Sequence, residues 1–185
     1  LAPRGLGTML AMLVVGRLVG RVDPRGLILL GLGLTAYALW EMTGFTADVS
    51  QAAIMRTGFV QGAGLGFIFV PLSTVTFATL PPALRTEATG LFSLVRNIGS
   101  SIGISIVGSL LVSNAQVAHA ELVQHVTPWN AVLQQPWPAA AWNMATEAGR
   151  GALDALIGRE AATIAYLDDF KLMMVIALLA MPLVL

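Results

Sequence analysis

Long apolar runs dominate the chain. Gly26 to Trp40 is uncharged, Thr57 to Leu84 holds no ionisable side chain, and Asn97 to Ala118 holds none either. A bilayer's hydrocarbon core is about 30 Å thick, and a helix rising 1.5 Å per residue crosses it in roughly 20 residues. These three runs therefore predict membrane-spanning helices. Gly5 to Val22 predicts an earlier span, interrupted late by Arg17 and Arg21, and Phe170 to Leu185 predicts the start of another. The runs are too continuous for the two-residue alternation of a barrel strand, and backbone groups in lipid have to be satisfied within the element. The expected fold class is all-α, a polytopic bundle of membrane helices. Expected spans lie at about 5–22, 26–43, 53–80 and 87–112; an outer segment with amphipathic helices follows at 113–169, and a last span begins at 170–185.

Composition sharpens this picture. Of 185 residues, 56% are apolar and 11% are charged, whereas a soluble domain carries about 25% charged residues. Ten basic and ten acidic residues balance, so no nucleic-acid partner is expected. With no cysteine and two histidines, neither a metal site nor a cofactor is expected. The chain opens at Leu1 without the features of a signal peptide and closes at Leu185 inside an apolar run, so we expect a piece of a longer polypeptide.

Lys and Arg in short loops mark the cytoplasmic side. Arg17, Arg21, Arg25 and Arg85 fall in the first and third loops, the second loop has none, and the outer segment is mainly acidic. Loops one and three are therefore expected inside, and loops two and four outside. Arg4, Arg56 and Lys171 run against this rule. In the outer segment, Leu153, Leu156, Ile157, Ile164 and Leu167 suit an amphipathic helix. Trp129, Trp137 and Trp142 suit either headgroup anchors or a small core.

Small and polar residues inside the spans are the candidates for chemistry. Gly58, Gly62 and Gly66 recur every fourth residue on the third span, and Gly99 and Gly103 do so on the fourth. Such stripes let helices pack closely, either as a static contact or as a sliding surface between rocking bundles. Pro71 is a fixed bend or a hinge. Arg96 lies about 13 Å inward from Glu87, at 1.5 Å per residue. A charge that deep faces a cavity, a partner or a carbonyl, or else reaches the headgroups with its long stem. Asn97 beside it and Gln61 in the third span are candidates for the same polar path, or for an interhelical hydrogen bond.

Two enzyme-like strings are rejected on context. Gly31-Leu-Gly33-Leu-Thr-Ala36 fits a dinucleotide fingerprint, but it stands inside an apolar span rather than between a strand and a helix. Gly99-Ser100-Ser101-Ile102-Gly103 fits a hydrolase elbow, again inside a membrane helix. The remaining rival is a membrane enzyme or scaffold acting through His119, Glu121 and His125 in the outer segment.

Several strings in order resemble the C-terminal portion of the fourteen-span drug:proton antiporters of the EmrB/QacA type, in the major facilitator superfamily. Leu1 to Gly7 resembles the start of the tenth span, and Gly16-Arg17-Leu18-Val19-Gly20-Arg21-Val22-Asp23-Pro24-Arg25 the second copy of the family's cytoplasmic loop motif. Gln61 to Gly64 with Phe69 to Leu72 is similar to the twelfth span, Arg96 to Gly103 to the thirteenth, and Tyr166 to Leu183 to the fourteenth. The motif's acidic position is Gly20 here, and the arginine position three before the Gln-Gly pair is Gly58. The resemblance implies part of the C-terminal six-helix half of a major facilitator fold. It implies export of lipophilic or amphipathic drug-like compounds against protons, by alternating access, in the bacterial cytoplasmic (inner) membrane. The implied partners are the lipid bilayer, the missing N-terminal half with its coupling acids and, in Gram-negative relatives, a periplasmic adaptor protein.

Overall fold

The computed structural model describes residues 2–46, 49–126 and 146–184. Five helices run through them: α1 (Ala2–Leu18), α2 (Pro24–Met42), α3 (Gln51–Ala78), α4 (Arg85–Gln124) and α5 (Glu147–Ala180), with a 3-10 turn at Pro82–Leu84 before α4. The fold class is all-α; the one β pairing among the described residues is an isolated bridge between Val19 and Val22.

Local chemistry sets the helix starts. Asp23 caps α2 by accepting from the Arg25 N–H at 3.0 Å, with Pro24 in the first turn, where its missing N–H costs nothing. Ser50 caps α3 by accepting from the Ala53 N–H at 3.3 Å. Between α1 and α2 the chain reverses at Gly20, whose φ of +101° is a conformation that L side chains rarely adopt.

By length and composition, α3 and the stretch Pro82–Gln124 are apolar enough to cross a bilayer. The helices expected at 5–22 and 26–43 are 17 and 19 residues long, at Ala2–Leu18 and Pro24–Met42. Both are shifted toward the N-terminus: the Gly20 turn ends α1, and the Asp23 cap with Pro24 starts α2 earlier than the apolar run alone suggests. The largest difference lies past Val112. Helix α4 continues to Gln124, and α5 runs without a break from Glu147 through the start of the last apolar run. Polarity alone does not stop a helix: between Ser113 and Gln124 α4 meets no Gly or Pro, and between Arg159 and Phe170 neither does α5.

The chain divides into two compact units, Leu1–Ile104 with Phe170–Leu185, and Ser105–Asp169. In the first, α3 is the central helix and packs against both α1 and α2. The contacts are backbone to backbone. A Cβ on Gly62 would collide with the Arg4 carbonyl, and one on Gly66 would lie 2.6 Å from Ala11 Cβ and 3.0 Å from the Thr8 carbonyl. Toward α2, a Cβ on Gly64 would lie 2.8 Å from the Gly31 carbonyl and 2.5 Å from Thr35 Oγ1. Pro71 is fully buried, and α3 continues past it to Ala78. Met174 and Leu178 near the end of α5, with Met181 just beyond it, line a groove with Gly33, Ala36, Tyr37 and Trp40 of α2.

In the second unit, a stripe at Gly149, Leu153, Ile157, Ala161, Ala165 and Asp169 is the buried face of α5. Leu153 and Ile157 follow the expected amphipathic pattern, whereas Ile164 is exposed. The buried period is four residues and is filled partly by glycine and alanine, so the largest side chains do not all mark the packed face. The three tryptophans expected to anchor this segment lie outside the described residues.

Replacing Gly62 or Gly64 by leucine forces backbones apart and should cost about 1 to 3 kcal/mol or more. Gly99→Leu meets open space among the described residues and should cost far less. Thermal unfolding of the full-length protein in detergent checks both; equal losses at Gly62 and Gly99 would contradict this packing.

Candidate functional site

Helix α4 carries the most exposed apolar surface of the first unit. Leu91, Leu94, Val95, Ile98, Ile102 and Ile104 are all more than half exposed, and Ile104 reaches 74%. On a water-soluble domain such a surface would invite aggregation; on a membrane helix it is lipid or helix contact. Arg96 and Asn97 stand on this stretch and are exposed.

Arg96 has an aromatic partner. Its guanidinium carbon lies 5.0 Å from the centre of the Phe69 ring on α3. One step nearer the connecting turn, Phe77 and Phe92 meet edge to face, with ring centres 5.6 Å apart at 68°. Arg85 Nε donates to the Leu80 carbonyl at 3.2 Å and closes the turn itself. A ring face attracts a cation by roughly 0.5 to 1 kcal/mol at exposed sites, and about 2 when desolvated, without cancelling its charge. Arg96 is thereby oriented while keeping its full positive charge, and no ion pair ties it to a described acid.

Phe69 was missed in the sequence, although a signal existed. The connection between α3 and α4 is short, so the helices are antiparallel neighbours, and residues equally far from its midpoint face each other. Counted from a midpoint near residue 82, Arg96 falls opposite about residue 68. Gln61 is half-buried on α3, eight residues before Phe69, roughly 12 Å further along the axis. No hydrogen bond among the described residues joins it to Arg96 or Asn97. The three polar candidates therefore sit at two depths rather than in one cluster.

The glycine candidates also separate. Gly62 and Gly66 lie against α1, while Gly58 has only Arg4 Cβ at 4.0 Å. Gly99 and Gly103 have nothing near them. Gly7, Gly31 and Gly64, absent from the predicted set, make equally close approaches; Gly31, in the rejected dinucleotide string, serves helix packing.

In the first loop, Asp23 is a helix cap, and Arg17 reaches back to the Leu13 carbonyl at 3.3 Å. Arg21 donates its backbone N–H to the Leu18 carbonyl at 2.9 Å, and Arg25 uses its backbone N–H in the cap. Gly16 has open space around it. Arg56, one of the cations that ran against the loop rule, forms an ion pair with Glu41 of α2.

The outer residues of the enzyme-like rival have structural partners. His119 Nε2 lies 3.1 Å from Asp154 Oδ1, linking α4 to α5 within the second unit. His125 Nδ1 lies 2.9 Å from the Glu121 carbonyl. Among the described residues, no three His, Asp or Glu side chains are grouped to hold a metal. Asp169, at the foot of the last apolar run and outside it, is 2% exposed, and its Oδ1 has no hydrogen-bond partner among the described residues. Burial first, and then the charge of Asp168, push its carboxyl above the usual carboxylate range.

Comparison with known proteins now adds to this geometry. Residues 4–146 match the family described as the Major Facilitator Superfamily. Among curated relatives, the multidrug export protein EmrB of Haemophilus influenzae is 28% identical over 136 residues, covering 72% of this chain and 26% of the relative. The fatty acid resistance protein FarB of Neisseria gonorrhoeae is 26% identical over 134 residues, again 72% of this chain and 26% of the relative. A multidrug resistance protein B homolog of Mycobacterium tuberculosis is 32% identical over 123 residues, 65% of this chain and 22% of the relative. The chain thus spans about a quarter of the length of these relatives. No solved structure matches it.

The buried carboxyl generates a pH prediction. A carboxyl whose pKa is raised on folding binds more protons in the native state than in the unfolded state, so stability falls as pH rises between the unfolded and folded values. The penalty is complete above the folded value. Asp169→Asn should therefore raise the unfolding midpoint at neutral pH, with the gain vanishing below the ordinary carboxylate range. Detergent unfolding scans at both pH values check it, and a gain equal at both would exclude a titrating Asp169.

Proposed function

This chain belongs to the Major Facilitator Superfamily, and from that premise we propose that it is part of a multi-pass secondary transporter exporting lipophilic or amphipathic drugs. In this reading the energy comes from proton antiport, the cycle is alternating access, and the membrane is the bacterial cytoplasmic (inner) membrane. The remaining polypeptide supplies the other bundle and the coupling acids. The names of the relatives, multidrug export and multidrug resistance proteins, support the substrate class.

The observation that carries the reading is Arg96. A permanent charge more than two helical turns inside an apolar helix is costly in lipid and marks a pathway or a partner. Its cation–π contact with Phe69 orients the guanidinium without neutralising it. Such a group serves a polar passage in two ways: it attracts the anionic part of an amphipathic substrate, and its field changes when a nearby acid gains or loses a proton. Asn97 adds an amide on the same helix, and Gln61 lines the passage at a second level. In the same reading, the glycine contacts of α3 are where helices shift against each other, Pro71 sets the bend of that helix, and the first loop with Gly16, Arg17, Arg21, Asp23 and Arg25 lies on the cytoplasmic side. The outer segment, from 113 to 169, meets an adaptor protein where one is used.

In the intact protein, Arg96→Ala should cut efflux of a fluorescent lipophilic cation such as ethidium by about tenfold or more, with membrane abundance unchanged. Arg96→Lys keeps the charge but loses the planar stacking and should fall between. Replacing both His119 and His125 by alanine should leave efflux intact. Full efflux in Arg96→Ala would reduce that residue to a scaffold, and loss of efflux in the histidine variant would favour the enzyme reading.

A further inference from the structure

Glu41 and Arg56 tie the second helix to the third at the end of the bundle opposite the Gly20 turn. Glu41 stands in the last turn of α2, and Arg56 near the start of α3. The C-terminal end of a helix carries the negative end of its dipole, which disfavours a carboxylate such as Glu41 in the last turn of α2. Its stabilisation comes instead from Arg56 across the seam.

The two partners are unequally covered. The Arg56 side chain is 69% exposed, whereas that of Glu41 is 17% exposed. One Glu41 oxygen, Oε1, takes the guanidinium; the other, Oε2, is buried without a hydrogen-bond partner among the described residues. A buried, half-satisfied carboxylate loses solvation that a single ion pair repays only in part. A proton on that group removes the uncompensated charge, and Arg56 then has water and headgroups within reach of its long stem.

The surrounding charges do not replace it. Arg56 is the one ionisable residue of α3. On the part of α5 that packs against α2, the charged residue is Lys171, one turn before Met174. From α1, Arg4 lines a groove of about 500 Å³ with Met42, Gln51, Ile54, Met55 and Gly58. Arg4, Arg56 and Lys171 are basic, and Asp168 and Asp169, which precede Lys171 on α5, belong to the second unit.

We propose that Glu41 is a further proton-binding residue of the transporter, in addition to the coupling acids of the remaining polypeptide: protonation from the outer side releases Arg56 and unlatches α2 from α3, and deprotonation restores the pair. No bond other than O–H forms or breaks; the proton comes from outer water and returns to solvent in the next state. The latch sits at the loop end of the α2–α3 seam, away from the mid-span approach of Gly31 to Gly64, where Thr35, Phe67 and Ile68 crowd the two helices together. The proposal rests on the transport reading and on the second loop facing outward.

The test uses the full-length protein in vesicles and two readouts. The 185 residues contain no cysteine. Thr43→Cys and Ala52→Cys, with any cysteine elsewhere in the polypeptide replaced, therefore place spin labels at the two ends of the latch. The labelled wild type should show a longer distance at mildly acidic than at mildly alkaline pH. Glu41→Gln and Arg56→Gln should each hold the longer distance at both. In transport, Glu41→Gln should lower proton-gradient-driven ethidium accumulation by about tenfold while ethidium exchange without a gradient stays within about twofold. A pH-dependent distance that persists in both variants, a wild-type distance that ignores pH, or full gradient-driven accumulation in Glu41→Gln overturns the proposal. If the wild type moves no ethidium under any condition, the transport reading fails for that probe, and the distances still decide the latch.

Discussion

Helices in lipid have no water to be driven away from, and the first unit is built around that constraint. A hydrophobic stripe gains nothing by leaving hydrocarbon for another helix, so association depends on contact distance. Here the distance is reached by deleting side chains. Gly7, Gly62 and Gly66 bring α1 onto α3, and Gly31 with Gly64 brings α2 onto the same helix. Threonines near these glycines return their hydroxyls to the carbonyl one turn earlier, as Thr8 does to Arg4 at 3.0 Å and Thr35 to Gly31 at 2.9 Å. The close faces thus remain compact and have their polar atoms satisfied.

The same scarcity of water governs the charges. Three basic groups in or near a span are accommodated in three ways: Arg96 lies on a ring, Arg17 reaches a backbone carbonyl, and Arg56 pairs with an acid on the next helix. These solutions are not interchangeable. A ring leaves the charge electrically visible, a carbonyl softens it, and a carboxylate cancels it in a way that a proton reverses. The helix-end position of Arg56 and the deep position of Arg96 therefore differ in what they can report to the rest of the molecule, although both are arginines in apolar surroundings.

Much of this was legible in the sequence, and the failures are instructive. Uninterrupted apolar runs gave the all-α class, and their fourfold glycine spacing marked one face of α3. That Gly62 and Gly66 would be crowded while Gly99 and Gly103 would stand open was not legible, because spacing says which residues share a face and nothing about what covers it. Glu41 was passed over because it lies at the end of a run read for its apolar content; pairing it with Arg56 across a short loop would have explained a charge that broke the loop rule. Helix α4 runs on past Val112 into the segment expected to hold amphipathic helices, since hydropathy measures solvent preference while helix continuity follows from the lack of a terminating signal. Phe69 was recoverable from connection length alone, once antiparallel neighbours were counted from the turn.

The reversal at Gly20 limits what that position can hold. Its backbone has turned into territory that side chains avoid. A carboxylate introduced there would force the main chain out of this bend, and the Asp23 cap three residues further on would lose the approach that now positions it. Charge and contour are therefore tied together at this corner: an acid is admitted only by a loop of a different shape.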